Sequence, residues 1–226
     1  EESKVFWNNC THVIGKDILK FHAVYWPAML LAIKYPIPKY IFAHGWWTNN
    51  GKKISKSLGN AIDPYEIIDK YGLDQFRYFL LREVPLGNDG DFSEEALINR
   101  INADLSNNFG NLIQRVIKFF KKNYLNYSPN IPENNLKHSN EITNGYKLIN
   151  SIKKKMDIFQ LNKCIEEIFT YIDQLNKFMD ESEPWKTFKT NPQKAGESLL
   201  VLIECFRILG IILQPFIPDT ARKLLD

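Results

Sequence analysis

The chain has 226 residues, with 29 Lys and Arg against 26 Asp and Glu, a net charge of +3, 44% hydrophobic and 13% aromatic residues. That balance excludes an extended disordered chain, and its small positive excess permits a nucleic-acid partner without announcing one. Cys10, Cys164 and Cys205 stand alone with no C-x-x-C pair, which argues against a disulfide framework and against a zinc site within this chain. Glu1-Glu2-Ser3-Lys4 carries no apolar signal region, and the apolar run of residues 199–203 is too short to span a bilayer. A reducing, cytosolic-type compartment is expected. The opening residue is not Met, and the first residues lead toward a strand-like segment, which reads as the interior of a longer protein.

In chain order, Thr11-His12-Val13-Ile14 reads as a short strand, Gly15 as a tight turn and residues 16–33 as a helix. Pro36 and Pro38 force a loop before a second strand, Tyr40-Ile41-Phe42-Ala43-His44. Strand–helix–strand order suggests part of a parallel α/β sheet. Asp63-Pro64-Tyr65-Glu66 is a helix start: Asp63 caps, Pro64 suits the first position and Glu66 completes a capping box. Gly72 ends that helix, and Asp74 opens another that runs to about Glu83.

From Ser93, a plausible N-cap, the texture turns helical. Leu97, Ile101, Leu105, Phe109, Leu112, Val116 and Phe120 recur in steps of four and three, as in one long amphipathic helix. Residues 127–138, rich in Pro and Asn, read as a loop. Helical patterns follow over residues 142–156, 161–179 and 195–213, with Pro215 and Pro218 marking the end. This half is expected to be an antiparallel helix bundle.

Three segments could carry chemistry. Between Gly51 and Leu58-Gly59-Asn60, the string Lys52-Lys53-Ile54-Ser55-Lys56-Ser57 offers mobile ammonium groups and hydroxyls to a polyphosphate; taken as lysines alone it is a solvated basic loop. Gly15, where a strand hands over to a helix, lets a ligand approach backbone, and Asp17 just beyond it either caps the helix or accepts from a ribose hydroxyl. His22 and Trp26 lie one turn apart on one helix face, as a buried aromatic pair or as an apolar wall with a polar tip. In the helical half, Asn111 and Arg115 share a face. Trp185, in Asp180-Glu181-Ser182-Glu183-Pro184-Trp185, follows a helix end as a lid over the core or as a site for stacking.

The lysine string resembles the KMSKS loop of class I aminoacyl-tRNA synthetases, with Ile54 in place of Met. The run from His12 to Leu30, with Trp26-Pro27-Ala28, and His44-Gly45-Trp46 ahead of the lysine string resemble methionine–tRNA ligases, and the likeness covers essentially the whole chain. The resemblance implies a fold of α/β plus all-α type. It comprises the C-terminal part of a Rossmann-like catalytic domain (residues 1–50), a lysine-loop and stem-contact region (51–92) and an anticodon-binding helix bundle (93–226). It implies activation of methionine with ATP and Mg²⁺ and transfer to tRNA(Met). Lys56 would stabilise the pyrophosphate leaving group, with Lys53 and Ser55 shaping the loop. Gly15, Lys16, Asp17, His44 and Gly45 would hold ATP and the adenylate, and His22 and Trp26 the methionine side chain. Asn111, Arg115, Trp185 and Asp180 would read the CAU anticodon, with Trp185 stacking on a base and Asp180 repelling wrong ones. Lys118, Lys121 and Lys122 would form a general phosphate-attracting flank.

The sequence also departs from the family. No H-I-G-H motif is present, since no second His follows Gly15, and Trp7-Asn8-Asn9-Cys10 replaces the more usual Trp-Pro-Ala-Asp. The expectation is therefore a C-terminal half, inactive alone, whose partner is the N-terminal half of the same polypeptide. A homodimer would form only through segments outside this chain. The place of work would be the cytoplasm or an organellar matrix, with no membrane contact. A stand-alone tRNA-binding module and a synthetase for leucine or cysteine are the rival readings; the His22/Trp26 pair and Glu183-Pro184-Trp185 speak against the latter.

Overall fold

A computed structural model describes residues 2–55, 59–124 and 139–226, with side chains from residue 5 onward. Lys56 and the whole of the expected 127–138 loop lie outside the described residues. The chain divides into two compact units: residues 1–62 with 84–93, and residues 63–83 with 94–226.

The first unit opens with helix α1 (Glu2–Asn8), where the sequence reads as a polar lead into a strand. Strand β1 (Thr11–Gly15) and strand β2 (Tyr40–His44) pair in parallel, Gly15 opposite His44 at their carboxyl ends. The expected single helix between them has three parts. Lys16–Ile18 is a 3₁₀ turn, Phe21–Tyr25 a π-helical turn, and Trp26–Ala32 the α-helix α2. Pro27 explains the π turn: it has no N–H for the carbonyl of Ala23 and its ring would strike that carbonyl. The ladder widens just before it, and the Trp26 N–H bonds Phe21 O, five residues back. A second small sheet holds β3 (Trp47–Asn49), β4 (Lys52–Lys53) and β5 (Gly90–Phe92) in the order β4-β3-β5. Asn50 and Gly51 both have positive φ, 50° and 73°, as a two-residue hairpin turn between twisted strands requires. Lys52 and Lys53 are therefore strand rather than loop.

The second unit begins with α3 (Pro64–Tyr71), whose N-cap Asp63 accepts from Tyr65 N at 2.9 Å. Gly72 ends it at φ 98°, where a side chain would be strained. Helix α4 (Leu73–Glu83) follows. The long amphipathic helix is present but not uniform: α5 (Glu94–Arg100), a ten-residue π-helical stretch (Ile101–Gly110) and α6 (Asn111–Tyr124). Three successive steps of four, Leu97 to Phe109, would drift by about 40° each around an α-helix. The wider turns of the π stretch absorb that drift and keep Leu97, Phe109, Leu112 and Val116 buried.

Four helices complete the bundle: α7 (Asn140–Asp157), α8 (Leu161–Ser182), α9 (Pro184–Thr190) and α10 (Pro192–Leu213), followed by a short α11 (Pro218–Leu225). Ile165, Ile168, Ile172 and Leu175 from α8 meet Leu199, Leu202 and Leu209 from α10, all fully buried in one core. At about 1.5–3 kcal/mol per large apolar side chain, this core is the dominant stabilising term of the unit. Asp74 is also buried, and its carboxylate accepts from Asp219 N and Thr220 N at 3.3 and 2.6 Å. It caps α11, whose first N–H groups otherwise have no partner. Arg77 secures the same corner by donating to Pro215 O and Phe216 O. No described helix is long and apolar enough to cross a membrane.

Candidate functional site

Parallel strands gather ligands beyond their carboxyl ends, where backbone groups open outward. Here those ends bring together Gly15, Lys16 and Asp17 from the first strand and His44, Gly45 and Trp46 from the second. A Cβ on Gly15 would lie 2.5 Å from Asp17 Oδ1 and 3.8 Å from His44 Cε1, so the glycine, the carboxylate and the imidazole edge one small space. His44 Nδ1 donates to Gly45 O at 2.9 Å, leaving Nε2 as the ring's acceptor. Gly45 itself faces backbone: a Cβ there would meet Asn88 O at 2.0 Å, so only glycine fits.

Lys16 does not stand alone. Its Nζ donates to both oxygens of Asp89, at 2.5 and 2.7 Å, and lies 4.2 Å from the centre of the Trp46 ring. Asp89 also accepts from Trp46 N at 2.8 Å. The Lys16 ammonium, then the Trp46 amide, hold the Asp89 carboxyl below its ordinary value. Lys53 Nζ lies 5.9 Å from the same Trp46 ring, so one indole takes a cation from the strand end and another from the lysine hairpin.

Beside this lies a recess of about 470 Å³ lined by Thr11, His12, Val13, Ile14, Phe21, His22 and Trp26. Trp26 Nε1 donates to His12 Nε2 at 3.1 Å. In the neutral ring His12 Nδ1 then carries the proton and faces Cys10 Sγ at 3.6 Å. His22 Nδ1 donates to Ile18 O at 3.0 Å, and the His12 and His22 rings meet edge to face at 6.2 Å. Trp7 packs its ring against both His12 and Trp26 at 6.1 Å and donates to Pro36 O. The wall is aromatic with fixed polar tips, suited to a small side chain that is largely apolar. The structure brings the expected His22 and Trp26 together in this recess and adds His12, with Trp7 packed against the His12 and Trp26 rings. His12 was legible in one respect: on an alternating strand it shares its face with Ile14. Trp7 was not, because it reaches those rings from a helix that the sequence did not suggest.

Of the lysine string, Lys53 and Ser55 are described and Lys56 lies outside the described residues. The stem is fixed by Asn60. Its Nδ2 donates to Lys53 O at 3.0 Å, its Oδ1 accepts from Ser55 N at 2.9 Å, and its own carbonyl accepts from Asn49 Nδ2. Asp91 steadies the hairpin by accepting from Gly51 N at 2.8 Å and from the Thr48 hydroxyl.

In the helical unit Arg115 Nη2 donates to Asp180 Oδ1 at 2.5 Å, and its guanidinium lies 5.7 Å from the centre of the Trp185 ring. Trp185 is 38% exposed, open enough to offer a face. It does not sit in a loop. Glu183 takes a left-handed conformation at φ 38°, Pro184 starts α9, and Trp185 occupies its first turn. Asn111 lies one turn before Arg115 and, with Ser106, Asn107, Gly110 and Gln114, lines a polar recess of about 610 Å³. Three of the four expected residues thus touch, and the fourth flanks them. Asp180 is paired with Arg115 rather than projecting a free charge.

Strand ends with a lysine hairpin in one unit, and a helix bundle in the other, are the parts of a class I tRNA synthetase. Residues 1–117 match the family described as tRNA synthetases class I (M), and residues 130–226 match the anticodon-binding domain of methionyl tRNA ligase. The methionine–tRNA ligase of Rickettsia felis is 47% identical over 98% of this chain and 44% of its own length, and that of Brucella suis is 44% identical over 100% and 44%. A Mycobacterium tuberculosis methionyl-tRNA synthetase solved with methionyl-adenylate superposes with a TM-score of 0.89 at 37% identity, covering 98% of this chain and 44% of that one. The chain belongs to the methionine–tRNA ligase family. It spans less than half the length of these relatives.

Proposed function

We propose that this chain supplies the carboxyl-terminal share of a methionine–tRNA ligase, an enzyme that joins methionine to ATP as methionyl-adenylate and then transfers it to tRNA(Met). The observation that carries the reading is the aromatic recess of His12, His22 and Trp26, next to the strand ends that hold Gly15 and Asp17. His22 and Trp26 would line the methionine thioether. Gly15, Asp17 and His44 would border the ribose, with Asp17 accepting from a hydroxyl. Gly45 would serve by its close approach to the Asn88 backbone, and Lys16 by a charge already shared with Asp89.

As the methionine carboxylate attacks the α-phosphorus, negative charge moves onto pyrophosphate. Ammonium groups placed there favour the transition state over the ground state. Lys56 is proposed for that role, with Lys53 and Ser55 shaping the approach. Mg²⁺ would enter as the counter-ion of ATP, carried by its phosphates. Among the described residues no three His, Cys, Asp or Glu side chains converge to hold a metal.

In the same reading, residues 1–50 serve the catalytic domain, 51–92 the lysine loop and stem contact, and 93–226 the anticodon. Trp185 would stack on an unpaired base, with Asn111 and Arg115 bonding base edges and Asp180 orienting Arg115. The N-terminal half of the polypeptide would be the partner that completes the methionine and ATP site, in the cytoplasm or an organellar matrix.

The test is methionine-dependent ATP–pyrophosphate exchange by the chain, alone and mixed with the N-terminal half of a relative. Exchange only in the mixture supports the reading. Exchange by the chain alone would contradict the assignment of its site. None in either case would favour a tRNA-binding module.

A further inference from the structure

The lysine hairpin raises a physical question: what holds the polar residues 52–55 in shape beyond the end of their strand pairing? Positively charged side chains that stabilise a leaving group act best when their backbone is fixed beforehand, because ordering it at the moment of reaction costs conformational entropy. The strand pairing of β4 ends at Lys53, so the backbone ladder does not carry past it. The Asn60 side chain continues the ladder. A carboxamide presents an acceptor and a donor side by side, as a peptide group does. Here Oδ1 accepts from Ser55 N at 2.9 Å and Nδ2 donates to Lys53 O at 3.0 Å, so one amide bridges both sides of Ile54. The Asn60 backbone is itself anchored, its carbonyl accepting from Asn49 Nδ2 on the neighbouring strand at 3.0 Å.

We propose that Asn60 is a positioning residue, clasping both Lys53 and Ser55 so that this strand end, with the Lys53 cation, meets phosphate oxygens in a preset shape. The proposal rests on the phosphate-binding role assigned to this loop above. Among the natural side chains of similar size, only Asn combines both bonds. Asp retains the acceptor for Ser55 N but turns a second oxygen toward Lys53 O, and Leu fills the volume with neither.

The test uses the full 226-residue chain as wild type, Asn60→Asp and Asn60→Leu, with three readouts. Amide hydrogen exchange at Ser55 should quicken by about tenfold in Asn60→Leu and stay near wild type in Asn60→Asp, which keeps that acceptor. Inorganic tripolyphosphate, titrated by chemical shift, should bind both variants about fivefold or more weakly than wild type. The thermal midpoint should be unchanged in all three, since no core residue is altered. Unchanged Ser55 exchange in Asn60→Leu would overturn the clasp. Changed exchange with unchanged tripolyphosphate affinity would overturn its positioning role while leaving the loop's phosphate role intact. Failure of the wild-type chain to bind tripolyphosphate would overturn the phosphate reading and the positioning role with it. A lowered thermal midpoint would make Asn60 a fold residue and likewise contradict the proposal.

Discussion

Arg115 holds its guanidinium over the ring of Trp185, 5.7 Å from the ring centre, while its Nη2 donates to Asp180. Helix α6 supplies the cation, α8 the carboxylate and α9 the ring, so three helix ends are fastened into one small surface. A planar cation on an indole face suits such a site, since guanidinium stacks while it hydrogen-bonds. Arg115→Ala should remove the ring's cover and release the Asp180 carboxylate toward any RNA. A hairpin bearing CAU should then bind the chain about tenfold or more weakly by fluorescence anisotropy. Unaltered affinity would mean that this surface does not touch the RNA.

Asp74 gives a prediction about stability alone. Its buried carboxylate takes both leading N–H groups of α11. Asp74→Ala leaves these donors without their acceptor and opens a small void, at a cost of about 1–3 kcal/mol. The midpoint of urea unfolding should fall while the slope is unchanged. A midpoint equal to wild type would show that α11 is capped by other means.

The bond between Lys16 and Asp89 predicts a pH response. Asp89 titrates below the ordinary carboxylate value, 3.8, because Lys16 and then the Trp46 amide favour its charged form. For a lowered carboxylate the stabilisation is fully present above its unfolded value and is lost as pH falls through the folded one. The Trp46 amide shift should therefore be constant from neutral pH to about pH 4 and move below it. In Asp89→Asn that acid transition should vanish. Because both partners are partly exposed, salt should also weaken the pair.

The cysteines should separate by reactivity. Cys205 is fully buried, and burial pushes its thiol up to about 12. Cys164 is equally buried, whereas Cys10 is partly accessible. At pH 8 a thiol reagent should label Cys10 in the folded chain and all three only after denaturation. Rapid labelling of Cys205 would indicate that the bundle opens locally.

These outcomes separate what the residues announce from what only packing decides. Asp63 and Gly72 mark their helix directly, because a cap and a positive φ are local demands. The parallel pair of strands was read from the strand–helix–strand order, and the bundle from steps of three and four. Pro184, Pro192 and Pro218 all begin helices, yet only Pro64 was read as a first helical position; Pro218 was read as the end of the helical half, and Pro184 and Pro192 were not read as helix starts. That is why α9 and α11 were missed, and why Trp185 was expected in a loop. The run of fours from Leu97 to Phe109 carried the π stretch, and Asn50-Gly51 carried the hairpin, both as local signals left unread. Asp89, Asn60 and Asp74 were illegible for a different reason. Each acts on a partner brought near by the fold, Lys16, Lys53 and Thr220 respectively, and no local pattern names such a partner. The same holds for His22 and Trp26, whose spacing gave a shared face but not the Trp26–His12 bond that fixes it.

The measurement that bears most directly on the whole account is the binding of anticodon hairpins to this chain by fluorescence anisotropy. A hairpin bearing CAU is compared with ones altered at each of its three anticodon positions. The account predicts a preference of about tenfold or more for CAU, lost in Trp185→Ala through the missing base stack. Equal affinity for all hairpins, or a preference that survives Trp185→Ala, would contradict it.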